Sequence, residues 1–247
     1  MFGVNVFSRD GLTVSCDFER GLIKALSGKR CAVKCCYFHH MQAIWRFVSK
    51  SGCSGRYRSD DAFRWSVRSL MVLPLFPEDM IRTTFDEFEK LMNNADADTR
   101  AVYHYFKTVW FDTFPPSLWC QNDHMFCTNK FAESFHASFS RRLTQHHPQF
   151  HVFARHIVKT IKESRLRLEE ERFNPKYRWR MGVLRRKLNA LITNYLNGPP
   201  LALPLQDLVK TIFNTLHAKV PFEDVFEDDD ETGDDDSSEV AMELVEE

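Results

Sequence analysis

Leu12-Thr13-Val14-Ser15-Cys16-Asp17, followed by Cys31-Ala32-Val33-Lys34-Cys35-Cys36-Tyr37-Phe38, decides the fold of this chain. The first run alternates apolar and polar residues and stops at Asp17, the pattern of a short strand. The second run reads as another strand over 31–38. Between them, Phe18 to Leu26 reads as a short helix closed by Gly28. A strand, a helix and a strand in so few residues make a tight unit whose two strands lie parallel in one sheet. After Phe38 the apolar spacing is helical throughout. The expected fold class is therefore predominantly α with a small α/β part.

The helical part can be read element by element. Met41, Ile44, Trp45 and Val48 mark one face of a helix from His40 to Lys50, ended by Gly52. Asp60 or Asp61 caps a helix bearing Phe63, Val67, Leu70 and Met71. Pro77-Glu78-Asp79 opens a helix with core face Ile81, Phe85, Phe88 and Met92. Asp98-Thr99 starts the next, with Val102, Tyr105, Phe106, Val109 and Trp110 inward, and Pro115-Pro116 breaks the chain. Further helices are expected over 130–143, from Pro148 to 171, between Pro175 and Gly198, and from Pro204 to 219.

Charge is divided along the chain. Residues 223–247 hold 14 Asp and Glu and no Lys or Arg, the composition of a disordered acidic tail. Taking those 14 from the total of 34 leaves 20 acids against 33 Lys and Arg in residues 1–222, a net of +13. Such a body suits a polyanion, or else carries a solvated basic surface beside a solubilising tail. The basic residues concentrate over 155–187, net +8, where Tyr177 and Trp179 interleave with arginines. Arg165, Arg167, Arg172, Lys176, Arg178, Arg180, Arg185, Arg186 and Lys187 are the candidate DNA contacts, on phosphates and stacked bases. The seven cysteines include one adjacent pair, Cys35-Cys36, and follow no secretory signal, so the expectation is reduced thiols in a soluble, intracellular protein. No apolar run reaches the ~18 residues of a membrane span.

Three positions carry possible chemistry. Asp17 ends a strand, where ligands and metals gather in α/β units; the plainer reading is a helix N-cap. Glu133 lies on a helix whose Phe131, Phe135 and Phe139 form the core stripe, so it faces away with His136, Ala137 and Ser140, toward an open site or plain solvent. Cys36-x-x-His39 has the spacing of half a zinc site, and Cys120, His124 and Cys127 are candidates for the other half. The arrangement is not that of a finger, and the reading preferred is a buried thiol and a hydrogen-bonded imidazole, with zinc unlikely.

In order and spacing these pieces resemble the Mutator-like element (MULE) transposases. The run Thr13 to Glu19 with Cys36-Tyr37-Phe38-His39 is similar to that family's second catalytic Asp and CxxH signature. Phe114-Pro115, Trp119 and Thr128-Asn129-x-x-x-Glu133-x-x-His136 are similar to its block around the third acid, and Pro148, Phe150 and Phe153 to the family's next segment. The resemblance spans roughly 12–165 and implies an incomplete RNase H-like fold with a large helical insertion. On that reading 1–40 is the end of the sheet, 41–127 the insertion, 128–172 the catalytic-Glu helix and its successor, 173–222 a basic extension and 223–247 the tail. It implies Asp17 and Glu133 as catalytic, metal-binding acids for Mg²⁺ or Mn²⁺, with Cys36, His39, Thr128, Asn129 and His136 as structural motif residues. Phosphodiester cleavage and strand transfer in DNA transposition and recombination would be the family activity, DNA the partner and the nucleus the location, with no membrane or small-molecule substrate. Basic proteins are a further candidate partner for the tail.

The chain departs from the family pattern in three places. A first catalytic Asp is expected on an earlier strand, and Asp10, in the turn Ser8-Arg9-Asp10-Gly11, is not read as its replacement. Cys127-Thr128-Asn129-Lys130 stands where the family has Arg-Thr-Asn-Asn. No N-terminal zinc module is found. With two acids of three, the chain alone is expected to be inert. The alternative is a non-catalytic DNA-binding or interaction protein derived from a transposase.

Overall fold

A computed structural model describes residues 11–92, 96–122, 137–143, 148–173, 176–198 and 204–216. It is predominantly helical, with one two-stranded parallel sheet. Strand β1 (Thr13–Cys16) is followed by α1 (Arg20–Ser27) and β2 (Ala32–Cys35). The register pairs Thr13 with Ala32 and Cys16 with Cys35. The expected parallel unit is present, with one correction. The second strand stops at Cys35, not Phe38, and α2 runs over Tyr37–Lys50 instead of starting at His40. The reason is burial on a helical face: Tyr37 is buried, its hydroxyl donates to the Met71 carbonyl at 2.9 Å, and His40 and Met41 are buried with it. A continued strand would alternate those side chains to opposite faces.

The next helices are α3 (Ser54–Ser59), α4 (Asp61–Val72), α5 (Ile81–Leu91, preceded by a 3₁₀ turn Glu78–Met80), α6 (Ala97–Lys107) and the single turn α7 (Pro116–Trp119). Asp60 is the cap expected for α4: its carboxylate accepts from Ala62 N at 2.9 Å and Phe63 N at 3.1 Å. For α6 the cap is Asp96, accepting from Thr99 N at 3.0 Å, so the helix begins one residue before Asp98. Arg56 of α3 ties the two caps together. It bonds Asp60, Asp96 and Asp98 and lies over the Phe63 ring at 4.6 Å.

Helix α6 does not end where it narrows. It widens into a π turn over Thr108–Thr113, where Phe114 N–H donates back to Val109 O at 2.9 Å. In that pattern the Trp110 carbonyl would take its donor from residue 115, which is proline and has no N–H. The Trp119 indole supplies the missing donor at 2.9 Å and also donates to Phe114 O at 2.9 Å. The proline pair expected to break the chain thus opens α7 and delivers Trp119 to the core.

Three helices complete the described chain: α8 (Phe150–Phe173), α9 (Lys176–Asn197) and α10 (Leu205–Leu216). A helical stretch over 137–142 precedes them. One cluster of buried side chains includes Cys16 and Cys35 of the sheet, the inward faces of α2 to α7, Leu188 and Ile192 of α9, and Leu208, Val209, Ile212 and Phe213 of α10. Arg68 pins α10 to α4, lying over the Phe213 ring at 4.2 Å while Nε donates to the Tyr57 hydroxyl at 2.9 Å. None of the described side chains of α8 belongs to this core. Among the described residues no helix is long and apolar enough to cross a membrane.

Replacing Trp119 with Phe keeps a ring in place and removes the donor. Two carbonyls then lose the same N–H, and the expected cost is about 1–3 kcal/mol, read as a shift in the denaturant midpoint at unchanged slope. An unchanged midpoint would show that the π turn does not need this donor.

Candidate functional site

Asp17 follows the last residue of β1 and is half-buried. Its neighbours fix it. Cys16 and Phe18 are buried, and the Phe18 ring sits edge-on to Trp110 at 4.7 Å and to Phe114 at 5.3 Å. The backbone is therefore held on both sides of Asp17. Asp17 does not cap α1: the N-cap is Glu19, whose side chain makes no capping bond. The helix-cap reading of Asp17 is thereby removed.

The ends of the two strands are closed by polar groups from elsewhere in the chain. Cys36 N donates to Cys16 O at 2.7 Å, extending the strand pair by one bond. Gln121 is buried, and its Nε2 donates to Cys35 O at 2.6 Å while its backbone N–H donates to Pro74 O at 2.6 Å. The Gln121 carbonyl accepts from the Arg185 guanidinium of α9. Its Oε1 is buried without a hydrogen-bond partner. Neither Gln121 nor this use of Arg185 is signalled by the sequence. A glutamine after Trp119-Cys120 has no motif around it, and Arg185 reads as one cation among many.

Cys36 is fully buried and His39 half-buried, at the start of α2. The residue next to them is His40. His40 is fully buried, stacked on Trp119 at 5.5 Å and edge-on to Trp110 at 4.3 Å and Phe106 at 5.8 Å. Neither ring nitrogen meets a partner at hydrogen-bond geometry. Burial pulls its pKa down to about 3, with the Leu70 backbone acting weakly the other way. His40 is thus a neutral aromatic of the core. Cys120, the candidate for a second zinc half, is buried with its Sγ 3.5 Å from Phe76 O.

The remaining candidates divide. Thr128, Asn129, Glu133 and His136 lie outside the described residues, as do His124 and Cys127. Arg165 is on α8, exposed, with Arg167 and Arg172 on the same helix. Lys176, Arg178 and Arg180 are on the first turns of α9, and Arg185, Arg186 and Lys187 come after them. Arg186 and Lys187 are exposed; Arg185 is half-buried. Elsewhere, a groove of about 610 Å³ between α5 and α6 is lined by charges of both signs, Asp86 and Glu89 with Lys90, Arg100 and Lys107. It lies on elements that do not hold Asp17.

Among the described residues no group of three His, Cys, Asp or Glu side chains is placed to hold a metal ion. Asp17 alone of the two implied metal-binding acids is described. One carboxylate is too little charge and too few oxygens for a two-metal centre, so no catalytic step follows from the described residues. No family model, no curated protein and no solved structure matches this chain.

Two measurements test this arrangement. The folded pKa of His40, about 3, lies below the ~6.5 of an unfolded histidine. The unfolded chain therefore binds the extra proton between those values, and stability from this group is full above pH 6.5 and lost as pH falls toward 3. His40→Phe should flatten the pH dependence of the melting temperature between pH 6.5 and 4; an unaltered slope would place the titration elsewhere. Arg185→Ala should destabilise by roughly 1–3 kcal/mol by leaving the Gln121 carbonyl without its charged donor. Arg186→Ala should leave the melting temperature in place, and equal losses in the two would undo the distinction.

Proposed function

We propose that this chain acts on DNA as part of a DDE transposase of the MULE kind. Asp17 would stand as the second catalytic acid, Glu133 as the third, and the basic helices α8 and α9 would hold the phosphate backbone. The observation that carries the reading is the place of Asp17. It sits at the carboxyl end of a parallel strand, relieved of any helix-capping task, with Cys36 and His39 opening the next helix as the family signature orders them. An RNase H-like architecture, Mg²⁺ or Mn²⁺ at the paired acids and a nuclear setting belong to the same proposal.

A second reading keeps the DNA and drops the chemistry. Exposed Arg165, Arg186 and Lys187, within a segment of net +8, support a non-catalytic DNA-binding protein whose acidic tail competes with DNA for the same cations. The two readings share the interface and differ at the acids.

Duplex DNA binding by the chain, measured across a salt series, tests both. The log of the binding constant should fall linearly against log salt, by about 0.9 for each phosphate neutralised. Arg186→Ala and Lys187→Ala should each weaken binding on every sequence and reduce the slope by about 1. Shortening the chain to residues 1–222 should tighten binding. Absence of binding at low salt would overturn both readings. The acids are tested in any longer product that carries this chain: Asp17→Asn and Glu133→Ala should each abolish Mg²⁺-dependent nicking while leaving DNA binding in place. Persistent nicking in either variant would reassign that acid.

A further inference from the structure

Helix α8 carries an apolar strip that the fold leaves in water. At ~100° per residue, Phe150, Ile157 and Ile161 fall within one narrow arc of the helix, and Val158 borders it. Phe150 is 83% exposed, and Val158 and Ile161 are 52% exposed each. Exposed apolar side chains gathered on one face, on a helix whose described side chains add nothing to the core, mark an interaction surface. Arg155, Lys159 and Lys162 are exposed on the Val158 side of the strip, and Arg165 follows Ile161 one turn on. The face matches a partner that is apolar and acidic together.

This chain contains such a segment. Residues 239–247, Glu-Val-Ala-Met-Glu-Leu-Val-Glu-Glu, lie outside the described residues, and their pattern is plain in the sequence. Set at helical spacing, Val240, Ala241, Met242, Leu244 and Val245 share one arc of about 200°. Glu239, Glu243, Glu246 and Glu247 take the other side, and no position is out of place. Residues 227–236 are as acidic but hold no apolar residue, so after Phe226 the apolar complement returns only at 239–247. A second copy of α8 is the poorer occupant. Over 150–165 the cations Arg155, Lys159, Lys162 and Arg165 face one acid, Glu163, which is bonded to Arg142. Pairing two such faces sets like charge against like.

We propose that α8 is the docking surface for residues 239–247 of the same chain. Val240 and Leu244 lie against Ile157 and Ile161, and the glutamates turn toward Arg155, Lys159 and Lys162. The segment orders as it binds, and both apolar strips leave water in the same step. Residues 217–238 supply the tether. Extended, they span about 70 Å, against a radius of gyration of about 17 Å for a body of this size, so α8 is within reach. The link also makes the docking intramolecular, with an effective concentration on the order of mM. This goes beyond an acidic tail competing for cations, because the apolar residues decide which acids dock and where. It holds whether or not the chain binds DNA.

The test uses the full chain, without DNA, mixed with an equal amount of isotope-labelled chain. A zero-length carbodiimide joins lysines to carboxylates that touch, and the linked peptides are read by mass spectrometry. Lys159 and Lys162 should link to Glu239, Glu243, Glu246 or Glu247 within one copy, ahead of the denser acids of 227–236. Lys90 and Lys107, exposed on α5 and α6, should not reach 239–247. The double change Val240→Ser with Leu244→Ser removes no charge and should cut the α8 links roughly tenfold. Ile157→Ser with Ile161→Ser should do the same in a chain whose circular dichroism is native. Unchanged yield in both double variants would mean attraction by charge alone and would overturn the proposal. So would links spread evenly over all exposed lysines, links absent from α8, or links formed between labelled and unlabelled copies, the mark of a second copy on this face.

Discussion

The Trp119 indole N–H, shared between the carbonyls of Trp110 and Phe114, is the bond on which the rest of this architecture depends. A π turn uses one more residue per turn than an α-helix and survives only where tertiary contacts favour it. Here the extra residue lets Trp110 and Phe111 both enter the core, and Phe114 closes the turn. The cost is an open carbonyl at Trp110, because the donor position falls on Pro115. Trp119 meets that carbonyl from α7 and places its own ring against Phe106, Phe111 and His40. Phe18 packs on the same group through Trp110 and Phe114, so the position of Asp17 is inherited from the turn.

The same economy of donors joins distant parts of the chain. Gln121, two residues after Trp119, commits one amide proton to the last carbonyl of β2 and its main-chain proton to Pro74. Its own carbonyl then takes Arg185 from α9. A buried carbonyl without a donor is costly, so this chain of bonds couples the sheet end, the α4–α5 connection and the first half of α9. An arginine held this way serves the fold before it serves any ligand. Its neighbours Arg186 and Lys187 carry no such duty.

Most of the helices were legible because their apolar positions repeat with the helical period, and Asp60 and Asp96 mark the starts of α4 and α6. Met41, Ile44, Trp45 and Val48, and Phe63, Val67, Leu70 and Met71, are all buried as that spacing requires. The parallel strand pair was legible from the alternation ending at Asp17. The end of the second strand is not legible because Cys35-Cys36-Tyr37-Phe38 is apolar in any conformation; the helical face shows only where Tyr37, His40 and Met41 are buried together and the Tyr37 hydroxyl reaches the Met71 carbonyl, far along the chain. The π turn left no trace in periodicity, since one inserted residue looks like ordinary scatter. At the site, Asp17 was visible by its place after a strand, whereas Gln121 and His40 became significant only through partners distant in sequence. Histidine beside histidine in Cys36-Tyr37-Phe38-His39-His40 invites a metal reading, and the structure packs His40 among three aromatic rings.

Helix α8 obeys different rules from the rest. A 24-residue helix whose described side chains add nothing to the core gets little of its stability from burial. Its contacts run to the stretch before it: Phe139 meets Phe153 edge-on at 5.9 Å, and Arg142 bonds Glu163 at 2.6 Å. Phe150, Val158 and Ile161 stay more than half exposed on it. Arg155, Lys159, Lys162 and Arg165 are exposed on the same helix. Exposed charges of this kind are screened by salt more than buried ones are. The core does not use them. Arg185 has the opposite character, and the division between the two kinds of cation follows from where each helix is anchored, not from how many positive residues it carries.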